Sequence, residues 1–523
     1  MERTIAGLIC CVCFLVSSAC GGNSAENVTH PADAIFNSQM DEYLGGIRLA
    51  PHESQWDGFG EAVDVHGDVL VVGASEWNQL GPGSVYVYRS SSGEWLEEAQ
   101  LTAGNRDEFL EQAQQYGGQR FGTSVALGDG VIAVGAPGSV HANPEYKGAV
   151  YIFEHMGDAW VETARLISDG SVQTGEENRL EWLNFSRMRP RVFGSHVALH
   201  GDTLAVGGDA DGTIYIYQSD GSGWQEQIQI TVPGIPERDL YMTSLSILED
   251  TIAVSAYYLP PQREQLLFLT GSVTVYVFER LGNSWEERFR FSPDGGTVDY
   301  LFPREINVGA PVALGGDFKE ATLLAVGLSG FPDWSGDLDP AMIGMNPMQI
   351  AEFAENAVSN RRSGAVYVFG RDDEGHWQQQ ATLKPSGWDD PPGPGSFSSI
   401  MPSHLEELRD AEKADIFLSH IFPGHLYSEI PEISFFGATV DMDGNRLAVT
   451  SGFANSTYIF EREDGEWKYR ARLKPKNEKI ELWEDFTQPV KIHGNNLLLG
   501  TPSEFGNSAY VFDLCIALAL GCR

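Results

Sequence analysis

Apolar residues along this chain fall into short dense runs separated by polar turns, and one run of four recurs seven times. The copies are 85–88, 150–153, 214–217, 275–278, 366–369, 457–460 and 509–512, each with Tyr second and Tyr or Phe fourth. In the first six copies a tryptophan follows seven or eight residues later, at Trp95, Trp160, Trp224, Trp285, Trp377 and Trp467. Six residues beyond each tryptophan stands Leu101, Leu166, Ile230, Phe291, Leu383 or Leu473. A repeat of this kind fixes the architecture before any single residue is interpreted.

Upstream of each aromatic run lies a second pattern, clearest at 121–137. There Phe121-Gly122 opens one strand, Gly128-Asp129-Gly130 reverses the chain, and Val131 to Pro137 forms the next. Gly and Asp tolerate positive φ, so this turn lets two strands reverse directly. Copies begin at Phe59-Gly60, Phe193-Gly194 and Phe436-Gly437, and weaker ones near Tyr241, Val308 and Phe486. The reading is four short antiparallel strands per unit, with Val, Ile, Tyr and Phe dense enough for burial on both faces. Seven such units cannot each bury two apolar faces alone, and they predict an all-β chain, a seven-bladed β-propeller with short helical insertions. The seventh unit stops at Phe512-Asp513 without its outer strand. Residues 41–51 resemble that missing strand, with Leu49 matching Leu473 and Tyr43 in the tryptophan position, so an N-terminal strand is expected to close the ring.

Phe-Gly, then Val-Gly-Ala-Pro, then Gly-Ala-Val-Tyr with an aromatic end resembles the FG-GAP repeat. That family builds the seven-bladed propeller of integrin α subunits and of many bacterial surface proteins, and the resemblance covers about residues 41–513. Integrin-type repeats often carry an Asp-rich Ca²⁺ loop between the first two strands. Here that loop has shrunk to turns such as His66-Gly67-Asp68, His200-Gly201-Asp202, Asp443-Gly444-Asn445 and His493-Gly494-Asn495, too short to wrap a cation.

Charge narrows the partners. With 34 basic and 73 acidic residues the net charge is −39, which repels nucleic acid and anionic membrane surfaces. Residues 1–19 read as a signal peptide, with an apolar run at 5–16 too short to span a bilayer permanently. Small residues before Cys20 resemble a bacterial lipobox, which implies lipidation of Cys20 and an outer-membrane or cell-surface location. An ordinary secretory signal is the alternative. Residues 20–40 would then be a flexible tether, 41–513 the propeller and 514–523 a tail. Beyond Cys20 only Cys515 and Cys522 remain, and an oxidising compartment would join them in a local disulfide.

Function is expected in the insertions, at about 102–120, 167–192, 259–270, 292–307, 328–362 and 386–434, because loops on a rigid scaffold are free to vary. Short helices are expected after Pro347 and at 402–413. Asp333, Asp337 and Asp339 form the best metal candidate, a Ca²⁺ loop weighed against a solvated acidic loop, since the spacing departs from an EF-hand and lacks its terminal Glu. Asp209 and Asp211 read as hairpin chemistry. His66, His200 and His493 share one repeat position and read as turn residues. His196 could face the channel, without an assignable carboxylate partner, and 219–224 lacks the Asp-box spacing of sialidases. No catalytic residue is assigned. The expectation is a non-enzymatic surface scaffold that binds a protein or polysaccharide through propeller-face loops, with membrane contact only through its lipid. Alternatives are an enzyme at the channel mouth or a structural envelope lipoprotein.

Overall fold

The computed structural model describes residues 32–36, 42–50, 58–75, 82–105, 118–138, 148–168, 193–208, 212–232, 240–258, 269–292, 298–300, 310–317, 320–328, 364–372, 374–385, 436–451, 456–475, 488–501 and 508–518. They form seven antiparallel four-stranded sheets, the blades. Blade 1 comprises Phe59–His66, Val69–Ala74, Ser84–Ser91 and Glu94–Leu101, and the next five repeat this order across 124–166, 196–231, 240–291, 312–385 and 436–475. Blade 7 joins Val490–His493, Asn496–Thr501 and Ser508–Asp513 to the N-terminal strand Ile47–Leu49. First strands of successive blades contact one another in sequence, and the first strand of blade 7 contacts that of blade 1, so the ring closes.

Seven apolar clusters lie one at each seam between neighbouring blades. Burial on both faces holds for the second and third strands, as in Val69–Ala74, where every residue is buried. The fourth strand differs: Glu94–Leu101 is exposed or half-buried at every position but the buried Leu101, because it forms the rim of the ring.

In a regular strand, residues six apart share a face. In all six complete blades, however, the pairing of third and fourth strands slips by one residue at one place, as between Val87 and Tyr88 or between Ile152 and Phe153. This β-bulge reverses parity. Trp95 therefore packs on the seam with blade 7 while Leu101 packs on the seam with blade 2. Trp160 and Leu166 divide in the same way, as do Trp467 and Leu473. One strand thus cements both neighbours.

The Phe-Gly and Val-Gly signatures meet across seams. Gly60, Gly122, Gly194 and Gly437 hold φ near +90° (+96, +93, +89 and +89), a region closed to most side chains. A Cβ on Gly500, Gly73, Gly135 or Gly327 would overlap the carbonyl oxygen of Gly60, Gly122, Gly194 or Gly437 respectively. Where blade 4 offers Met242 instead of glycine, its thioether occupies the space beside Gly207.

The N-terminal segment departs from the expected single strand over 41–51. Ile47–Leu49 does pair antiparallel with the third strand of blade 7, Leu49 opposite Ala509 and Ile47 opposite Val511. Tyr43 is not in the tryptophan register: it belongs to Glu42–Gly45, which pairs parallel with the outer strand of blade 6, Tyr43 opposite Leu473. Gly46, at φ +95°, separates the two strands. The Tyr43 ring nonetheless packs at the seam of blades 6 and 7, edge-on to Phe512 at 6.5 Å. It fills the tryptophan's place from a different backbone path. Ala32–Phe36, expected within the tether, is a fifth strand on blade 5, parallel to its outer strand. The tail begins with the helix Leu514–Ala517, capped by the Asp513 carboxylate and packed on the same seam as Tyr43.

Candidate functional site

The antiparallel order sorts every connection onto one of two faces. Turns from first to second strand and from third to fourth lie on one face; the links from second to third strand and from each blade to the next lie on the other. On the turn face, the links between first and second strands are two residues each: 67–68, 129–130, 201–202, 249–250, 318–319, 444–445 and 494–495. The longest link on that face is 372–376. Every connection of more than five residues leaves from the opposite face, including 102–123, 167–195, 329–364 and 386–435. On this loop face the third strand of blade 4 is extended, and its Leu269–Gly271 portion pairs antiparallel with Val298–Tyr300.

The polar residues near the axis are concentrated on the first strands and their turns. A first strand is a sheet edge, and its outward N–H groups need partners. Side chains of the preceding blade supply them. Asp64 Oδ2 accepts from Leu127 N at 2.8 Å, Asp441 Oδ2 from Ile492 N at 2.8 Å, and Asp443 Oδ2 from Gly494 N at 2.6 Å. Ser244 and Ser246 Oγ accept from Val312 N and Leu314 N at 3.1 and 3.2 Å. These carboxylates were not singled out from sequence, because the N–H each one caps lies some fifty or more residues away in the chain.

A cluster of charged and titratable groups spans blades 6, 7 and 1. Lys491 Nζ lies 3.2 Å from Asp441 Oδ1. Burial pushes the Asp441 carboxyl up to about 6, with Lys491 pulling it down and Asp64 adding to the rise. Burial also works against the charge on Lys491, but Asp441 and Asp64 outweigh it and hold the ammonium above its ordinary range. At the next turn the imidazoles of His66 and His493 stand 4.3 Å apart, tilted by 40°. His66 Nε2 is 2.9 Å from Asp129 Oδ1 on blade 2. Burial, with His66 beside it, lowers His493 below the ordinary histidine value. On blade 3, His200 Nε2 faces Glu249 Oε1 of blade 4 at 3.3 Å.

The shared histidine position is thus a turn position whose rings bridge blades. His196 Nε2 lies 3.1 Å from the Met242 carbonyl, on the seam with blade 4. In the 219–224 turn, Asp220 accepts from the Ser222 hydroxyl and amide at 2.7 and 2.8 Å, which lowers its pKa. Cys515 is disulfide-bonded. Cys20, Cys522, Asp209, Asp211, Asp333, Asp337, Asp339 and both expected insertion helices lie outside the described residues. Among the described residues no group of three or more His, Cys, Asp or Glu is placed to hold a metal ion.

The FG-GAP repeat model matches residues 49–88 and 110–153, which take in most of blades 1 and 2. No curated protein matches the chain. Among solved structures it is similar to Sqt1 of Saccharomyces cerevisiae, at 10% identity and TM-score 0.39 over 90% of this chain and 99% of that one. It is also similar to the Cps50 (Swd1) β-propeller domain of Myceliophteria thermophila, at 10% identity and TM-score 0.40 over 89% and 99%. A third is the periplasmic gluconolactonase PpgL of Pseudomonas aeruginosa, at 13% identity and TM-score 0.37 over 82% and 88%. These likenesses are too distant to bear on activity. Strand pairing makes the described residues a seven-bladed β-propeller, and the FG-GAP repeat is matched within its first two blades.

Proposed function

We propose that this protein is a non-enzymatic extracytoplasmic binding scaffold, anchored through lipid on Cys20, which recognises a protein or glycan with its loop face. The observation that carries the reading is the sorting of connections: every link longer than five residues leaves from one face, while the other is closed by tight turns. Loops on a rigid frame can vary without cost to the ring, and a face that collects them all is suited to recognition. The described polar groups around the axis are engaged between blades. Asp64, Asp441 and Asp443 cap sheet-edge amides, and His66 and His200 face carboxylates of the next blade. Groups held this way staple the ring.

The test is cross-linking capture on intact cells, comparing the tagged chain with Cys20→Ser and with versions in which 329–364 or 386–435 is shortened to an eight-residue Gly/Ser link, the length of the 232–239 connection. A recurrent partner lost in one loop replacement, from a ring that still unfolds cooperatively, supports the reading. A partner retained by every loop replacement contradicts it.

A further inference from the structure

Blades 7 and 1 meet where the chain closes its ring, and blade 7 is itself held by a short strand pairing. Blade 7 is completed by only three residue pairs, Ile47 to Leu49 against Val511 to Ala509, whereas third and fourth strands in blade 1 share seven. On the turn face this seam carries a hydrogen bond from Asn496 Nδ2 to the Gly67 carbonyl at 3.0 Å and the rings of His66 and His493, tilted by 40°. We propose that this histidine pair makes the closing seam acid-sensitive, so that acidification loosens the contact between blades 7 and 1.

The surroundings of the pair set the sign. The ring centroids of His66 and His493 stand 4.3 Å apart, and two cations at that range would oppose each other; Asp129 Oδ1 lies 2.9 Å from His66 Nε2. Asp64 on blade 1, Asp129 on blade 2 and Asp443 on blade 6 favour the charge on His493. Lys491, on its own strand, is paired with Asp441. Burial and His66 prevail, and His493 is held below its ordinary value. The sign is therefore fixed: an opened seam binds a proton that the closed seam rejects. Closure is favoured above the ordinary histidine range and weakens as pH falls through it. His200 occupies the same repeat position but faces Glu249 across its seam at 3.3 Å instead of a second imidazole, and serves as the control.

Amide hydrogen exchange at pH 7.5 and 5.5, corrected for intrinsic rates, tests this on the full chain. Protection of 490–493 and 47–49 is expected to fall several-fold at the lower pH. His493→Asn should abolish the fall and His200→Asn should leave it intact. An equal fall in His493→Asn, or none in the wild type, overturns the proposal. Should His493→Asn fail to fold, imidazole NMR of the wild type decides. Titration of His493 below the free-histidine value, in step with lost protection, supports the seam; titration at or above that value refutes it.

Discussion

The two faces of this propeller are held together by different chemistry. On the loop face, neighbouring blades meet backbone to backbone, where the first-strand glycines Gly122 and Gly194 sit against Gly73 and Gly135 with no room for a side chain. On the turn face they meet through side chains, with Asp64, Asp441 and Asp443 reaching across to edge amides and tryptophans wedged at the starts of the outer strands. The contrast shows how one repeat separates tasks. Glycine contacts bring the blades together at the loop face, beside a few side-chain links such as Arg120 to Glu61 at 3.0 Å and Ser124 Oγ to the Gly194 carbonyl at 2.8 Å; the turn face keeps its links short and gives its polar residues to the seams.

Four perturbations would break or sharpen this contrast. The largest is Trp467→Ala, which removes a ring that is 6% exposed from the seam of blades 5 and 6. It should cost about 3–5 kcal/mol, read from denaturant unfolding. Next is Asp441→Asn. With the folded pKa raised to about 6 from 3.8, the folded state binds more protons than the unfolded state between those values, so stability falls as pH rises through that window. The asparagine variant should flatten this dependence, a difference of at most about 3 kcal/mol at about 1.4 kcal/mol per pKa unit, seen in unfolding curves from pH 4 to 7. On the loop face, Gly135→Ala drives a methyl into the Gly194 carbonyl and the Ser124 hydroxyl, and should cost about 1–3 kcal/mol. Smallest is replacement of the exposed turn Gly157-Asp158 by Asn-Gly, within about 0.5 kcal/mol of wild type by thermal unfolding.

How far the sequence reveals this depends on the range of each interaction. Blade number, strand order and the two-residue turns were legible because each repeat carries its own apolar runs and Gly/Asp reversals. The use of an N-terminal strand for closure was legible because Leu49 keeps the motif. Parity was not: Trp95 and Leu101 look like residues on one face until the bulge puts them on opposite seams. Nor was the path of Tyr43, since a chain that moves from the rim of blade 6 to blade 7 at Gly46 leaves no local signature. The edge-capping role of Asp64 and Asp441 was hidden because each partner lies in the following blade. Where the candidate site depended on insertions, composition and spacing alone pointed to Asp333, Asp337 and Asp339, which lie outside the described residues.

The claim that one face recognises and the other supports can be tested most directly by photo-cross-linking on native cells. Reactive residues would be placed in the connections 329–364 and 386–435, which leave from the loop face, and at the turns 157–158 and 282–283 on the other. Adducts confined to the loop-face positions are the predicted result. Adducts at the turn positions, with none from the loops, would contradict it.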